Sequence, residues 1–510
     1  MSNRDVDATW TYHNGTKHHY ERVQRDRHYL DWENQPLPFK VYTSLDPMFL
    51  PRDLPLSRGS ALQALVGREP QGAGPGVPAL NTLAALLHFS AGVLRRRAHA
   101  GGKIFFRAAA CTGALYHVDL YLVCGDLAGL TAGTYHFSPH DFALRLLRDG
   151  DCRGAVLRAS ADEPAVARAP AVVIGATTYW RNAWKYRARA YRHAFWDGGT
   201  ILANLLAVCA AHGLPARIVA GFMDDEISRL LGLDTAREAA LFLVALGRTD
   251  DGAPRPPADV KPLSLPVEPL SRSEVDYPEI RAMHAASSLA SIAEVRAWRE
   301  ASPRMASAKG TGCLFPLAPL GDRDLGEGSI EEVIRRRGST RRFSRRPIAF
   351  SQLCALIDCA GQPLAADFLG AAAPHLNDLY LVVNAVEGIP AGAYALRRET
   401  GALELLREGD FRGEAGCLAL GQDLAADAAV DFFLLADLEP IVAAFGNRGY
   451  RAAQLEAGVT GGKIYLAAYA QGLGATGLTF FDDDVTAFFS PDAARKSVMF
   501  LVAVGRPEKG

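Results

Sequence analysis

The sequence has no CxxC pair. Its eight cysteines, at 111, 124, 152, 209, 313, 354, 359 and 417, stand apart, which argues against a zinc site or a disulfide frame and for reduced thiols in a cytosol. No run approaches the ~18 uninterrupted apolar residues that a membrane span needs. The opening Met1-Ser2-Asn3-Arg4-Asp5-Val6-Asp7 is polar and carries no apolar core of a signal peptide. An excess of one charge is also missing: 55 Lys+Arg stand against 56 Asp+Glu, a formal net charge of -1. That leaves no electrostatic footprint for nucleic acid or an anionic membrane. What is there is a 510-residue chain, 49% hydrophobic and 22% charged. Such a composition is globular, is expected in the cytoplasm, and at ~150 residues per domain allows two to four domains.

The first positive feature is an internal repeat. Leu120-Tyr121-Leu122-Val123 recurs as Leu379-Tyr380-Leu381-Val382, and Gly129…Gly133…Tyr135 recurs as Gly388…Gly392…Tyr394. Leu146 to Asp151 recurs as Leu405 to Asp410. Arg189, Tyr191 and Arg192 match Arg448, Tyr450 and Arg451, and Phe222 and Asp224 match Phe481 and Asp483. One offset, 259 (380 against 121), holds throughout. The chain therefore reads as two copies of one domain packed as an intrachain pseudo-dimer, a fusion of the common symmetric dimer. The boundaries expected are 1–250 for the first domain, 251–328 for a connector and 329–510 for the second domain. Six prolines between Thr249 and Leu270 make the connector semi-rigid. A helix is expected over Glu279 to Arg299, and a loop over Gly310 to Gly328.

Within each copy the pattern predicts an amphipathic helix (Leu83 to Gly92; Leu353 to Gly361), short apolar strands, a long apolar helix (Trp196 to His212; Leu455 to Gln471) and a closing strand that ends in Gly. Helices and strands mixed without strict alternation give an α+β class.

Three local signals carry chemistry. Arg337-Gly338-Ser339-Thr340-Arg341 places two guanidiniums around a hydroxyl, a fork suited to bidentate phosphate contacts; a solvated basic run is the competing reading. Cys111-Thr112-Gly113-Ala114 has small residues around a Gly, which let backbone amides approach a flat ligand; the alternative is a tight turn. Lys185-Tyr186, in a cation-rich stretch to Arg192, offers a proton-transferring pair; the alternative is a solvated helix surface. His18-His19 has no carboxylate or Cys at a matching spacing, so no metal site is expected. Gly461-Gly462-Lys463 lacks the upstream Gly and the following Ser/Thr of a phosphate loop.

Together these residues resemble a tandem member of the nitroreductase-like flavoproteins of the SagB/ThcOx type. The resemblance rests on Tyr12-His13…Lys17-His18, Gly113-Ala114-Leu115-Tyr116, Gly133-Thr134-Tyr135, Lys185-Tyr186…Tyr191-Arg192, Gly221-Phe222…Asp224 and the Arg337-x-Ser339-x-Arg341 opening. It implies two domains, each a central, mostly antiparallel sheet flanked by helices, with FMN between them. Its phosphate would meet Arg337, Ser339, Arg341 and Arg506. Its ring would lie between Cys111, Thr112, Gly113 and Leu115 on one side and Gly477, Leu478, Thr479 and Phe480 on the other. The resemblance also implies Lys185 and Tyr186 as the catalytic pair, with Tyr186 as proton acceptor and Lys185 lowering its pKa, or the reverse.

The duplication adds a test of its own. At the 259 offset, Cys111 to Tyr116 falls on Gly370 to His375 and Lys185-Tyr186 falls on Ala444-Phe445. Near the helices the offset is about 270, and the counterpart of Arg337 to Arg341 falls around Gly67 to Gln71, where no R-x-S-x-R exists. Complementary losses leave one whole site, hence one FMN per chain. The activity implied is dehydrogenation of a thiazoline, an oxazoline or a similar unit to the azole in a peptide or assembly-line product, with dioxygen as reoxidant and with biosynthetic partners. Two other readings stay open: an NAD(P)H-dependent nitro- or quinone reductase, and a non-catalytic scaffold of a biosynthetic complex. Further homo-oligomerisation is compatible with either.

Overall fold

The computed structural model describes residues 2–25, 28–67, 76–99, 102–250, 252–255, 259–305, 310, 312–321, 325–371 and 373–508. The first copy contributes β1 (Met48–Phe49), β2 (Val93–His99), β3 (Gly102–Arg107), β4 (Val118–Cys124), β5 (Gly133–Ser138), β6 (Ala143–Asp149), β7 (Ala171–Thr178), β8 (Ala216–Val219) and β9 (Glu238–Leu246). The second contributes β10 (Cys313–Pro316), β11 (Asp378–Val383), β12 (Gly392–Arg397), β13 (Ala402–Glu408), β14 (Val430–Ala436), β15 (Gly474–Leu478) and β16 (Ser497–Gly505). Two seven-stranded sheets result, β1-β6-β5-β4-β7-β9-β8 and β10-β13-β12-β11-β14-β16-β15, with every pairing antiparallel. Even their irregularities repeat. The bulges at Thr134/Tyr135 and Gly175/Ala176 recur at Ala393/Tyr394 and Leu434/Leu435, in the 259 register.

The long apolar helices, Ala190–Ala211 and Arg448–Ala470, pack on each other between the sheets. By length and composition the stretch Tyr179–Ala211 passes for a membrane span; its apolar window is 83% buried inside the protein. The crossing is close because it is glycine on glycine. A Cβ on Gly199 would lie 2.5 Å from the Gly458 carbonyl carbon, and one on Gly462 2.5 Å from the Ala203 Cβ. Gly461-Gly462-Lys463 lies inside this helix. One continuous apolar core joins both copies, with Phe195 and Leu122 of the first and Leu356 and Leu501 of the second.

Buried ion pairs cross the same interface in both directions. Arg448 and Arg451 reach Asp224 at 2.6 and 2.7 Å, while Arg189 and Arg192 reach Asp482 at 2.9 and 2.6 Å. The helices that begin at Asp224 and at Asp482 are equivalent, so the second copy lacks one residue here. The partner of Asp224 is Asp482, at an offset of 258, and not Asp483.

The N-terminal arm crosses to the second copy, with Asn3 Nδ2 donating to the Phe445 carbonyl at 3.0 Å and Lys17 pairing with Asp483 at 2.7 Å. The connector runs back along the first: Leu37 N–H bonds the Leu270 carbonyl and Thr43 N–H the Pro266 carbonyl. Its helical part is two helices, Pro278–Ala286 and Ile292–Glu300. They break where the Ser287 and Ser288 hydroxyls bond back to the carbonyls of Met283 and His284. The expected loop at 310–328 contains the edge strand β10.

Candidate functional site

A cavity of about 850 Å³ opens between the copies. One end is built by the second. The helix Ile330–Arg336 starts with a capping box, Ser329 with Glu332, and the chain leaves it extended at Arg337. Arg337 is buried and donates to the carbonyls of Ala108 (3.0 Å) and Arg107 (3.2 Å), both in the first copy. Among the described residues no carboxylate pairs with Arg337 or with Arg341, and Ser339 and Arg341 line the cavity beside it. Two guanidiniums and a hydroxyl without an acid form the donor set an anion needs.

The first copy supplies the opposite wall. The Asp197 carboxylate accepts the Thr112 backbone N–H (3.0 Å), the Thr112 hydroxyl (2.8 Å) and the Cys111 thiol (3.1 Å), and contacts His117 Nε2 (2.9 Å). It thereby fixes the 111–113 loop to the long helix. Cys111, His117 and Asp197 hold potential ligand atoms within 4.8 Å of one another. The thiol proton and the imidazole are directed at the carboxylate, and His117 Nδ1 meets the Thr177 hydroxyl at 2.8 Å. The trio is a hydrogen-bonded brace. Burial and the Asp197 charge hold the Cys111 thiol well above its usual pKa. Gly113 has φ +63°, and a Cβ there would sit 2.8 Å from the Tyr186 hydroxyl. Only glycine satisfies both constraints.

Lys185 and Tyr186 end the helix Tyr179–Tyr186 at the cavity. The Lys185 ammonium lies 5.3 Å from the Tyr186 ring centroid, and that ring stands edge-on to His193 at 4.6 Å. Burial raises the phenol pKa well above 10.0, and the Asp197 charge pushes the same way. The shift runs opposite to the lowering expected from Lys185.

Of the other expected residues, Gly477, Leu478 and Thr479 line the cavity from β15 and just beyond it, with Thr479 Oγ1 3.2 Å from His18 Nδ1. Three do not. Leu115 is buried behind the loop in the apolar core. Phe480 is fully buried against Trp196 at 5.8 Å. Arg506 turns outward and donates to the Pro347 carbonyl at 2.9 Å. Missed in the sequence are Asp197, a lone carboxylate in an apolar helix, and Arg95 and Phe106 of the β2–β3 hairpin, announced by the run Arg95-Arg96-Arg97.

On the far side of the pseudo-twofold a smaller cavity, about 510 Å³, is lined by Leu65, Leu206, Leu214, Leu364 and Lys463, with no arginine among the described residues that line it. Leu206 stands where the second copy has Tyr465. Of the counterpart expected at Gly67 to Gln71, residues 68–71 lie outside the described residues.

The Nitroreductase family model matches residues 80–248 and again 334–506. The chain belongs to the nitroreductase family. It is a tandem nitroreductase-like oxidoreductase, and the crystal structure of an Anabaena variabilis protein named as a nitroreductase matches it along nearly its whole length. That structure covers 98% of this chain and 99% of its own, with TM-score 0.77 and 25% identity. The protein MJ1384 of Methanocaldococcus jannaschii, also named as a nitroreductase, is 27% identical over 143 residues, 28% of this chain and 71% of its own. The microcin B17-processing protein McbC of Escherichia coli is 26% identical over 144 residues, 27% of this chain. The match spans 53% of McbC, in keeping with the SagB-type resemblance.

Proposed function

We propose that this nitroreductase-family chain binds one FMN and dehydrogenates a thiazoline, an oxazoline or a similar unit of a peptide natural product to the azole, with dioxygen as reoxidant and in company with biosynthetic partners. The observation that carries the reading is the single cavity with an acid-free guanidinium pair at one end and Lys185-Tyr186 at the other. Arg337, Ser339 and Arg341 would hold the phosphate. The Asp197-braced loop and Gly477 to Thr479 would flank the ring. FMN bound there supplies hydride acceptance. The protein handles the other departing hydrogen, as a proton. Lys185 and Tyr186 are the two titratable side chains at this end of the cavity that would take it, and whichever accepts it first gives up its own proton. The name of McbC, a microcin B17-processing protein, supports a substrate that is a biosynthetic product under processing.

The test is incubation of the purified yellow protein with an azoline-bearing peptide under air. The expected product is lighter by two hydrogens. Turnover confined to NADPH with a nitroaromatic would sink the azoline reading and favour the reductase.

A further inference from the structure

With Arg506 turned away, the expected cradle keeps two cations, Arg337 and Arg341. The first copy brings a third. Between the helix Leu80–Ala91 and β4 it carries the β2–β3 hairpin, whereas the described residues between the helix Phe350–Gly361 and β11 form no strand. Arg95 and Phe106 are cross-strand partners in that hairpin, and the guanidinium lies 5.5 Å from the Phe106 ring centroid. Both line the cavity. The stack aims Arg95 at the arm of the other copy: a Cβ on Gly338 would lie 3.5 Å from the Arg95 Nη2. Arg337 feels it. Burial depresses the Arg337 pKa, and the neighbouring Arg95 charge adds to the depression. Two guanidiniums converge here with no carboxylate paired to either among the described residues. A dianion between them removes their repulsion and gains bidentate donors from both sides.

We propose that Arg95, from the first copy, is a phosphate-binding residue that completes the cradle of Arg337, Ser339 and Arg341 in the place assigned by sequence to Arg506. The inference rests on the FMN reading and deepens it: the phosphate is gripped by both copies, as the ring is. Its consequence is selectivity, because a cation placed on the phosphate strengthens FMN binding and leaves riboflavin unaffected.

The full chain, stripped of flavin, is titrated with FMN and with riboflavin for wild type, Arg95→Gln and Arg506→Gln. Arg95→Gln is expected to weaken FMN about tenfold to a hundredfold, the worth of a charged hydrogen-bond partner, with riboflavin affinity retained as proof of an intact ring site. Arg95→Lys is expected to recover part of the loss, and Arg506→Gln to match wild type. The proposal falls if Arg95→Gln binds FMN as wild type does, if it loses FMN and riboflavin in equal measure, or if Arg506→Gln loses as much as Arg95→Gln. A wild-type chain that binds no FMN overturns both this proposal and the cofactor reading; one that binds FMN while Arg95→Gln is unaltered overturns this proposal alone.

Discussion

Gly199 and Gly458 meet backbone to backbone at the centre of the molecule, and each is the other's counterpart in the duplication. A self-complementary contact of this kind marks where the twofold of a dimer would pass. A methyl on either side would press into main chain: one on Gly458 would lie 2.6 Å from the Trp196 carbonyl oxygen. Gly199→Ala and Gly458→Ala are each expected to cost about 1–3 kcal/mol or more, through forced separation of the helices. Gly361, with nothing within 4 Å of its would-be Cβ, is the control, and alanine there should be neutral or mildly stabilising. Denaturant midpoints check this; equal effects at the three positions would remove the role given to the crossing.

The arginine clamps make stability depend on acid. Burial alone would raise the Asp224 pKa, but Arg448 and Arg451 hold it down, from 3.8 to about 2. Asp482 is depressed in the same way by Arg189 and Arg192. A carboxyl whose folded pKa lies below its unfolded value contributes stability that is complete above about pH 4 and lost as pH falls toward 2. For Asp224 the contribution is on the order of 2 kcal/mol. Asp224→Asn should flatten part of this acid limb and cost about 3 kcal/mol at neutral pH, because two buried guanidiniums lose their counter-charge. Unfolding curves at pH 7, 5 and 3 decide; an acid limb as steep as wild type would count against the clamp.

The fold was legible because the chain is written twice, and a shared register is stronger than any single pattern. The register slipped at Asp482, where one residue is missing and an adjacent aspartate, Asp483, preserved the appearance of a match. The Arg337 arm and the Lys185-Tyr186 pair were legible as local chemistry. Arg506 was not, because nearness to a strand end does not tell on which side of the backbone a side chain leaves. Leu115 and Phe480 failed for the related reason that neighbours along an irregular loop point to opposite sides. Arg95 and Asp197 were hidden because their partners, Arg337 and Thr112, are 242 and 85 residues away in the chain.

A single complete cradle predicts flavin stoichiometry. One FMN per chain is expected on acid release, and Arg337→Gln should leave a colourless, folded protein, since no arginine among the described residues lines the opposite cavity. Loss of Arg337 also frees the Ala108 and Arg107 carbonyls it bonds, so circular dichroism must accompany the flavin assay. About two FMN per chain would show that both halves bind.

Substitution separates the roles of Lys185 and Tyr186. If Lys185 accepts the proton, Lys185→Ala should lower kcat by about 10³-fold with the flavin spectrum unchanged. Lys185→Arg should fail to rescue, since a guanidinium does not give up its proton in the working range. Tyr186→Phe keeps the ring that packs on His193 and near Gly113 and removes only the hydroxyl. A smaller loss, about 10- to 100-fold, is expected, with the pH–rate profile keeping its basic-side dependence. If Tyr186→Phe instead abolishes turnover and Lys185→Arg stays active, the phenol is the acceptor, and its burial must be relieved when substrate enters. If either substitution releases FMN, the pair belongs to the binding wall, since a group that acts only on the substrate's proton leaves cofactor affinity where it was.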